Sequence, residues 1–89
     1  MGKRGRLEII RDILAIIRDN RLIKLTPLLR KANLSSRRFK EYFGEILAKR
    51  FIIETIDGKN EKFVSLTEKG SNFLEQYRAI ISFIDEFEL

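Results

Sequence analysis

Apolar residues recur along this chain at two different spacings, and the changes between them divide it into elements. Leu7, Ile10, Ile13, Leu14 and Ile17 follow a helical repeat, with Arg11, Asp12, Arg18 and Asp19 between them. The pattern predicts a first helix over 7–19, ended by Asn20 and Arg21. Residues 22–25 form a short apolar link that suits one strand. Thr26 followed by Pro27 marks a helix start, because Thr caps free N–H groups and Pro needs no donor in the first turn. That second helix is expected over 27–32, closed by Asn33 in a left-handed conformation. Ser35 is placed to cap a third helix over 36–49, with Leu34 and Phe39 positioned as a hydrophobic staple across its start.

After the third helix the period shortens. Residues 51–56 are β-rich, Asp57-Gly58-Lys59-Asn60 reads as a turn with its hairpin signal in Asp-Gly, and 62–66 return as a second strand. Thr67 caps a last helix expected to run to about Phe87. Three helices, a hairpin and a long helix make a mainly α chain with a small β-hairpin. This is the winged helix-turn-helix layout with an added C-terminal helix. The expected division is a body over 1–66, including a flexible basic arm over 1–6, and a dimerisation helix over 67–89.

Charge separates the same two parts. The 89 residues carry a net charge of +5, but residues 1–66 hold 16 Lys and Arg against 8 Asp and Glu, while 67–89 hold 2 against 5. A basic body favours a polyanion such as nucleic acid, although an ordinary solvated basic surface has the same composition. The chain has no Cys and no His, which removes disulfides, thiolate metal sites and the commonest general base. No cofactor, metal site or small-molecule substrate is expected. No apolar run reaches membrane-spanning length and no signal peptide is visible, so a cytoplasmic, nucleoid-associated protein without a membrane partner is expected.

Three segments, Leu7-Glu8-Ile9-Ile10-Arg11-Asp12-Ile13-Leu14, Ala32-Asn33-Leu34-Ser35 and Leu66-Thr67-Glu68-Lys69-Gly70, stand in an order and spacing that resemble the crenarchaeal 10a family of small chromatin-associated winged-helix proteins. The resemblance covers nearly the whole chain. It implies a DNA-binding dimer held by antiparallel pairing of the C-terminal helices, with sequence-tolerant binding and compaction, or gene regulation. The cluster Arg37, Arg38 and Lys40 departs from the family pattern and leaves the degree of sequence specificity open.

On the third helix Phe39, Tyr42, Phe43, Ile46 and Leu47 share one face and read as core. The opposite face centres on Arg37, Glu41, Gly44 and Ala48, flanked by Ser36, Arg38, Lys40 and Glu45. Helix-turn-helix proteins present the start of this helix to base edges. Arg37 is therefore assigned to guanine, and Arg38 and Lys40 to phosphates, with Ser36 at the helix tip. Glu41 either orients Arg37 or accepts from cytosine N4, and it also repels phosphate. Lys59, Asn60 and Lys62 at the hairpin tip, and Lys3, Arg4 and Arg6 in the arm, complete the candidate DNA-binding set. Glu54, Asp57 and Glu61 dilute the charge of the wing.

In the last helix Gly70, Phe73, Tyr77, Ile80, Ile84 and Phe87 follow a 3-4 spacing, which Leu74 and Ile81 widen. The candidate dimer interface is Phe73, Leu74, Tyr77, Ile80, Ile81, Ile84 and Phe87. Large aromatics at these positions favour antiparallel over parallel pairing. A fold-back of this helix on its own body is the alternative. The function expected is that of a homodimeric double-stranded-DNA-binding protein in chromatin organisation or transcription. The alternative is a winged-helix module that binds protein without touching DNA, for which Glu41 and Glu45 speak. An enzyme is not expected: the Glu41 and Glu45 pair, one turn apart, reads as salt-bridge partners, and no phosphate loop or nucleophile motif is present.

Overall fold

Helix α1 (Arg6–Asn20) supplies Ile9, Ile10, Ile13, Leu14, Ala15 and Ile17 to a single core, and every other element packs around them. The computed structural model describes residues 4–89. Glu8 reaches back to accept a hydrogen bond from the Gly5 N–H at 3.1 Å, which satisfies one free donor at the helix start. The buried stripe differs at one end from the expected one. Leu7, in the first turn, remains 54% exposed, while Ile9 is buried in its place.

Strand β1 (Ile23–Lys24) follows, then α2 (Leu25–Ala32) and α3 (Ser36–Ala48). Helix α2 starts two residues before the expected position. Lys24, still extended at the end of β1, is its N-cap, and the Thr26 side chain caps nothing. Pro27 consequently falls at the third helical position, where the N–H has no intrahelical acceptor in any residue, so it does no harm there. Asn33 closes α2 with φ 56°, as its side chain type suggests. Ser35 caps α3 by accepting from the Arg38 N–H at 3.2 Å.

The end of α3 turns sharply into β2 (Ile52–Ile56). The Arg50 N–H donates to the Leu47 carbonyl and the Phe51 N–H to the Ile46 carbonyl, a Schellman closure with Arg50 in the left-handed region at φ 63°. Strand β3 (Lys62–Leu66) pairs antiparallel with β2, Ile52 opposite Leu66 and Ile56 opposite Lys62. Its other edge pairs with β1, Ile23 opposite Val64, to give the sheet order β1-β3-β2. The short link between the first helices is therefore the third strand. At the hairpin tip the left-handed residue is Asn60, at φ 64°, and Gly58 keeps a negative φ. The loop is a three-residue one, fixed by the Asp57 carboxylate, which accepts from the N–H groups of Lys59 and Glu61 at 2.9 and 3.0 Å.

Helix α4 (Glu68–Glu86) begins on a Thr67 cap, whose hydroxyl accepts from the Gly70 N–H at 3.0 Å and donates to the Arg50 carbonyl at 2.7 Å. Its start lies against α1 and β3, with Gly70 and Leu74 buried. The rest extends past the body, and the molecule measures 50 × 27 × 21 Å.

Candidate nucleic-acid interface

The exposed tip of α3 is held by apolar anchors on its other face. Phe39, Phe43 and Ile46 are buried, the two rings stack with centroids 5.4 Å apart, and Tyr42 and Leu47 pack partly against the core. This leaves Ser36, Arg37, Arg38, Lys40 and Glu41 in solvent on one helix start. Among the described residues, no acidic group pairs with Arg37, Arg38 or Lys40. Arg38 rests over the Tyr42 ring at 5.9 Å from its centroid, a cation–π contact that orients the guanidinium and leaves its donors free. Glu41 is exposed and forms no ion pair with Arg37. Cations in the first turn of a helix oppose its dipole, so their placement there is not favoured by the helix itself.

The second carboxylate of that helix has a different place. Glu45 is turned to α1, where it forms an ion pair with Arg6. The pair ties α3 to α1 and takes Arg6, the first residue of α1, into the body. Arg4 is also engaged. Its guanidinium donates to Asp12 at 2.8 Å and to the carbonyls of Ala32 and Asn33 at 3.0 and 3.3 Å, bridging α1 to the end of α2. Lys3 lies outside the described residues.

At the hairpin, Lys59, Asn60 and Lys62 are exposed. The sequence pattern did not single out Lys24, which sits on the far edge strand and bonds Glu61 at 2.7 Å. That hydrogen bond and the Glu61 charge hold the Lys24 ammonium above its ordinary pKa. Glu61 is thus occupied by Lys24, and Asp57 by backbone N–H groups, so neither is directed at Lys59 or Lys62. The only hint in the sequence is the opposite charge of Lys24 and Glu61, which come near each other diagonally once β1 pairs with β3, Lys24 itself standing opposite Phe63.

On α4 the apolar residues fall on two faces. Leu74 is 7% exposed and belongs to the chain's own core. Phe73 is packed partly on the body, with its ring 5.2 Å from Phe51 and 6.2 Å from Tyr77. Ile81 borders a cleft against Glu8 and Arg11 of α1. Farther along, Ile80, Phe83 and Phe87 are 59%, 55% and 57% exposed, with Ile84 half-buried beside them. Phe83, whose ring packs tilted against Phe87 with centroids 4.8 Å apart, falls outside the heptad stripe, so the 3-4 spacing does not reveal it. No helix of the described residues is long and apolar enough to cross a membrane.

Known proteins share this geometry. The fold is similar to that of Sso10a-2, described as a DNA-binding protein from Sulfolobus solfataricus, at TM-score 0.76 and 19% identity, over 96% of this chain and 86% of that one. F-93 of SSV1 superposes at TM-score 0.69 with 25% identity, over 89% of this chain and 91% of that one. A mutant of MepR from S. aureus, solved bound to an oligodeoxyribonucleotide, gives TM-score 0.76 at 12% identity, over 89% of this chain and 60% of that one. At the level of fold these neighbours bear out the resemblance to the 10a proteins. No curated protein matches the chain. The winged helix-turn-helix family matches residues 3–85, covering α1 to the last turn of α4, and the chain belongs to that family.

Proposed function

We propose that this protein binds double-stranded DNA as a homodimer, in chromatin organisation or transcriptional regulation, and that it is not an enzyme. The observation that carries the reading is the tip of α3. Arg37, Arg38 and Lys40 stand exposed and, among the described residues, without acidic partners on a capped helix start whose opposite face is locked into the core. In the mechanism, α3 enters the major groove, Arg37 meets base edges, and Arg38 and Lys40 neutralise phosphates. Lys59, Asn60 and Lys62 of the wing lie along the flanking backbone. The nature of two fold neighbours, a protein described as DNA-binding and a MepR mutant solved bound to an oligodeoxyribonucleotide, supports the same reading.

The end of α4 supports the dimer reading. Ile80, Phe83, Ile84 and Phe87 make an apolar face that the body does not cover, which marks an interaction surface. Two copies related by a two-fold axis bury it against itself and fix the spacing of the two α3 helices.

The test is binding of a fluorescent duplex over a range of salt. Replacing Arg37, Arg38 and Lys40 with Ala should weaken binding and flatten the salt dependence by about 0.9 for each phosphate no longer neutralised. Unchanged binding rejects the α3 tip. Footprinting on genomic DNA then separates uniform coverage, as for an architectural protein, from discrete sites, as for a regulator. The reading as a protein-binding module loses one of its supports, because Glu45 pairs with Arg6 and does not join Glu41 in an acidic outer surface.

A further inference from the structure

A cavity of about 360 Å³ opens between the first turn of α2 and the flank of α3. Small-molecule sites occupy about 300–1,000 Å³ and are mainly apolar with a few polar groups. Leu25, Leu29, Phe39 and Phe43 line this cavity, and Ser36 and Lys40 border it. Lys40 is its one charged residue, and among the described residues no acidic group neutralises it. Gly44 also lines it, in the interior of α3, where glycine weakens a helix. Packing does not require that glycine, since a β-carbon there would meet nothing within 4 Å. Its effect is to leave the cavity open.

We propose that this cavity binds a small, flat, aromatic monocarboxylate. The ring lies on the apolar wall formed by Phe39, Phe43 and Leu29. The carboxylate takes the Lys40 ammonium, with the Ser36 hydroxyl as a second donor. A single cation in a mainly apolar site matches one negative charge on an otherwise apolar ligand, and leaves a phosphate dianion under-neutralised. The ligand would occupy the α3 flank and neutralise Lys40, so it competes with duplex. This last clause rests on the DNA-binding reading above, whereas the site itself does not.

The experiment titrates the isotope-labelled full chain with benzoate, and with benzamide as a neutral isostere, by amide chemical shifts. Benzoate should move the amides of Leu29, Lys40 and Gly44 with about millimolar affinity, as expected of so few atoms. Benzamide should bind about tenfold more weakly, for loss of the charge-assisted bond. Gly44→Leu should fill the cavity and abolish the benzoate shifts without lowering the melting temperature, and Lys40→Met should make the two probes equal. Absence of shifts at these residues, an equal response of the wild type to both probes, or benzoate binding that survives Gly44→Leu overturns the proposal. Duplex anisotropy at constant ionic strength forms a separate arm, in which benzoate should weaken binding more than benzamide does. A chain that never binds duplex defeats the DNA reading alone, because the shift titration still decides the cavity.

Discussion

The backbone carbonyl of Phe51 stands where a β-carbon on Gly70 would have to be. The start of α4 lies so close to the turn after α3 that no side chain fits between them, and the Leu66 side chain crowds the same point. The Phe51 carbonyl also accepts from the Thr67 N–H at 3.0 Å, so it is not free to retreat. Gly70→Ala should therefore destabilise the protein by about 1–3 kcal/mol in chemical denaturation. Gly44→Ala, in open space on an exposed helix face, should stabilise it by about 1 kcal/mol. The same substitution with opposite signs is the check.

Arg50 holds the left-handed position of a helix closure that usually carries glycine. Its N–H and carbonyl are both used, by Leu47 and Thr67, and these bonds do not depend on the side chain. Arg50→Gly should raise stability by about 1 kcal/mol, read as a higher melting temperature with unchanged secondary structure. A fall would mean that the guanidinium contributes more than the strain it carries.

Glu61 keeps Lys24 protonated to higher pH than an isolated lysine. For a lysine whose pKa is raised on folding, the stabilisation is complete below the unfolded value and is lost as pH rises through the folded one. The loss therefore falls at alkaline pH, above the ordinary lysine value of 10.5. Glu61→Gln should return the Lys24 titration to its ordinary range and remove that part of the alkaline dependence. Nuclear magnetic resonance titration of the lysine side chain is the measurement, and an unshifted midpoint in the variant would refute the pairing.

Arg4 belongs to a basic N-terminal segment, but its contacts are intramolecular. Arg4→Ala removes the Asp12 pair and two bonds to carbonyls at the end of α2. Stability should drop by about 1 kcal/mol, while the slope of duplex affinity against salt stays as in the wild type. A flatter slope with unaltered stability would instead assign Arg4 to DNA.

Phe83→Asp places a charge on the exposed face of α4, at a residue that is not part of the hydrophobic core. If the proposed pairing holds, sedimentation should show the wild type as a dimer and the variant as a monomer at the same concentration, with the helical content of the body retained.

The order of elements is legible in the sequence because each boundary carries a local signal. Ser35 and Thr67 cap the helices that follow them, and Asn33 ends α2 in the expected conformation. Thr26-Pro27 misleads by two residues because tertiary pairing of Lys24 with Phe63 fixes where β1 stops, and the helix starts from there. Asp57-Gly58 marks the hairpin but not its geometry. Asp57 contributes through its carboxylate, and the left-handed turn falls to Asn60. At the site, the exposed cluster on α3 is readable from the helical wheel. The partners of Arg6 and Lys24, and the Ala32 carbonyl that Arg4 meets, are not, since they lie 39, 37 and 28 residues away along the chain and no periodic pattern encodes them.

The projecting end of α4 acts as a ruler. In a pair of chains joined there, each residue inserted between Leu74 and Ile80 moves the joint by about 1.5 Å and swings it by about 100°. A seven-residue insertion returns the oily side almost to its original bearing while lengthening the rod by about 10 Å. In the proposed dimer, the separation between the two α3 helices would thus be reset by rod length alone, leaving the bodies untouched.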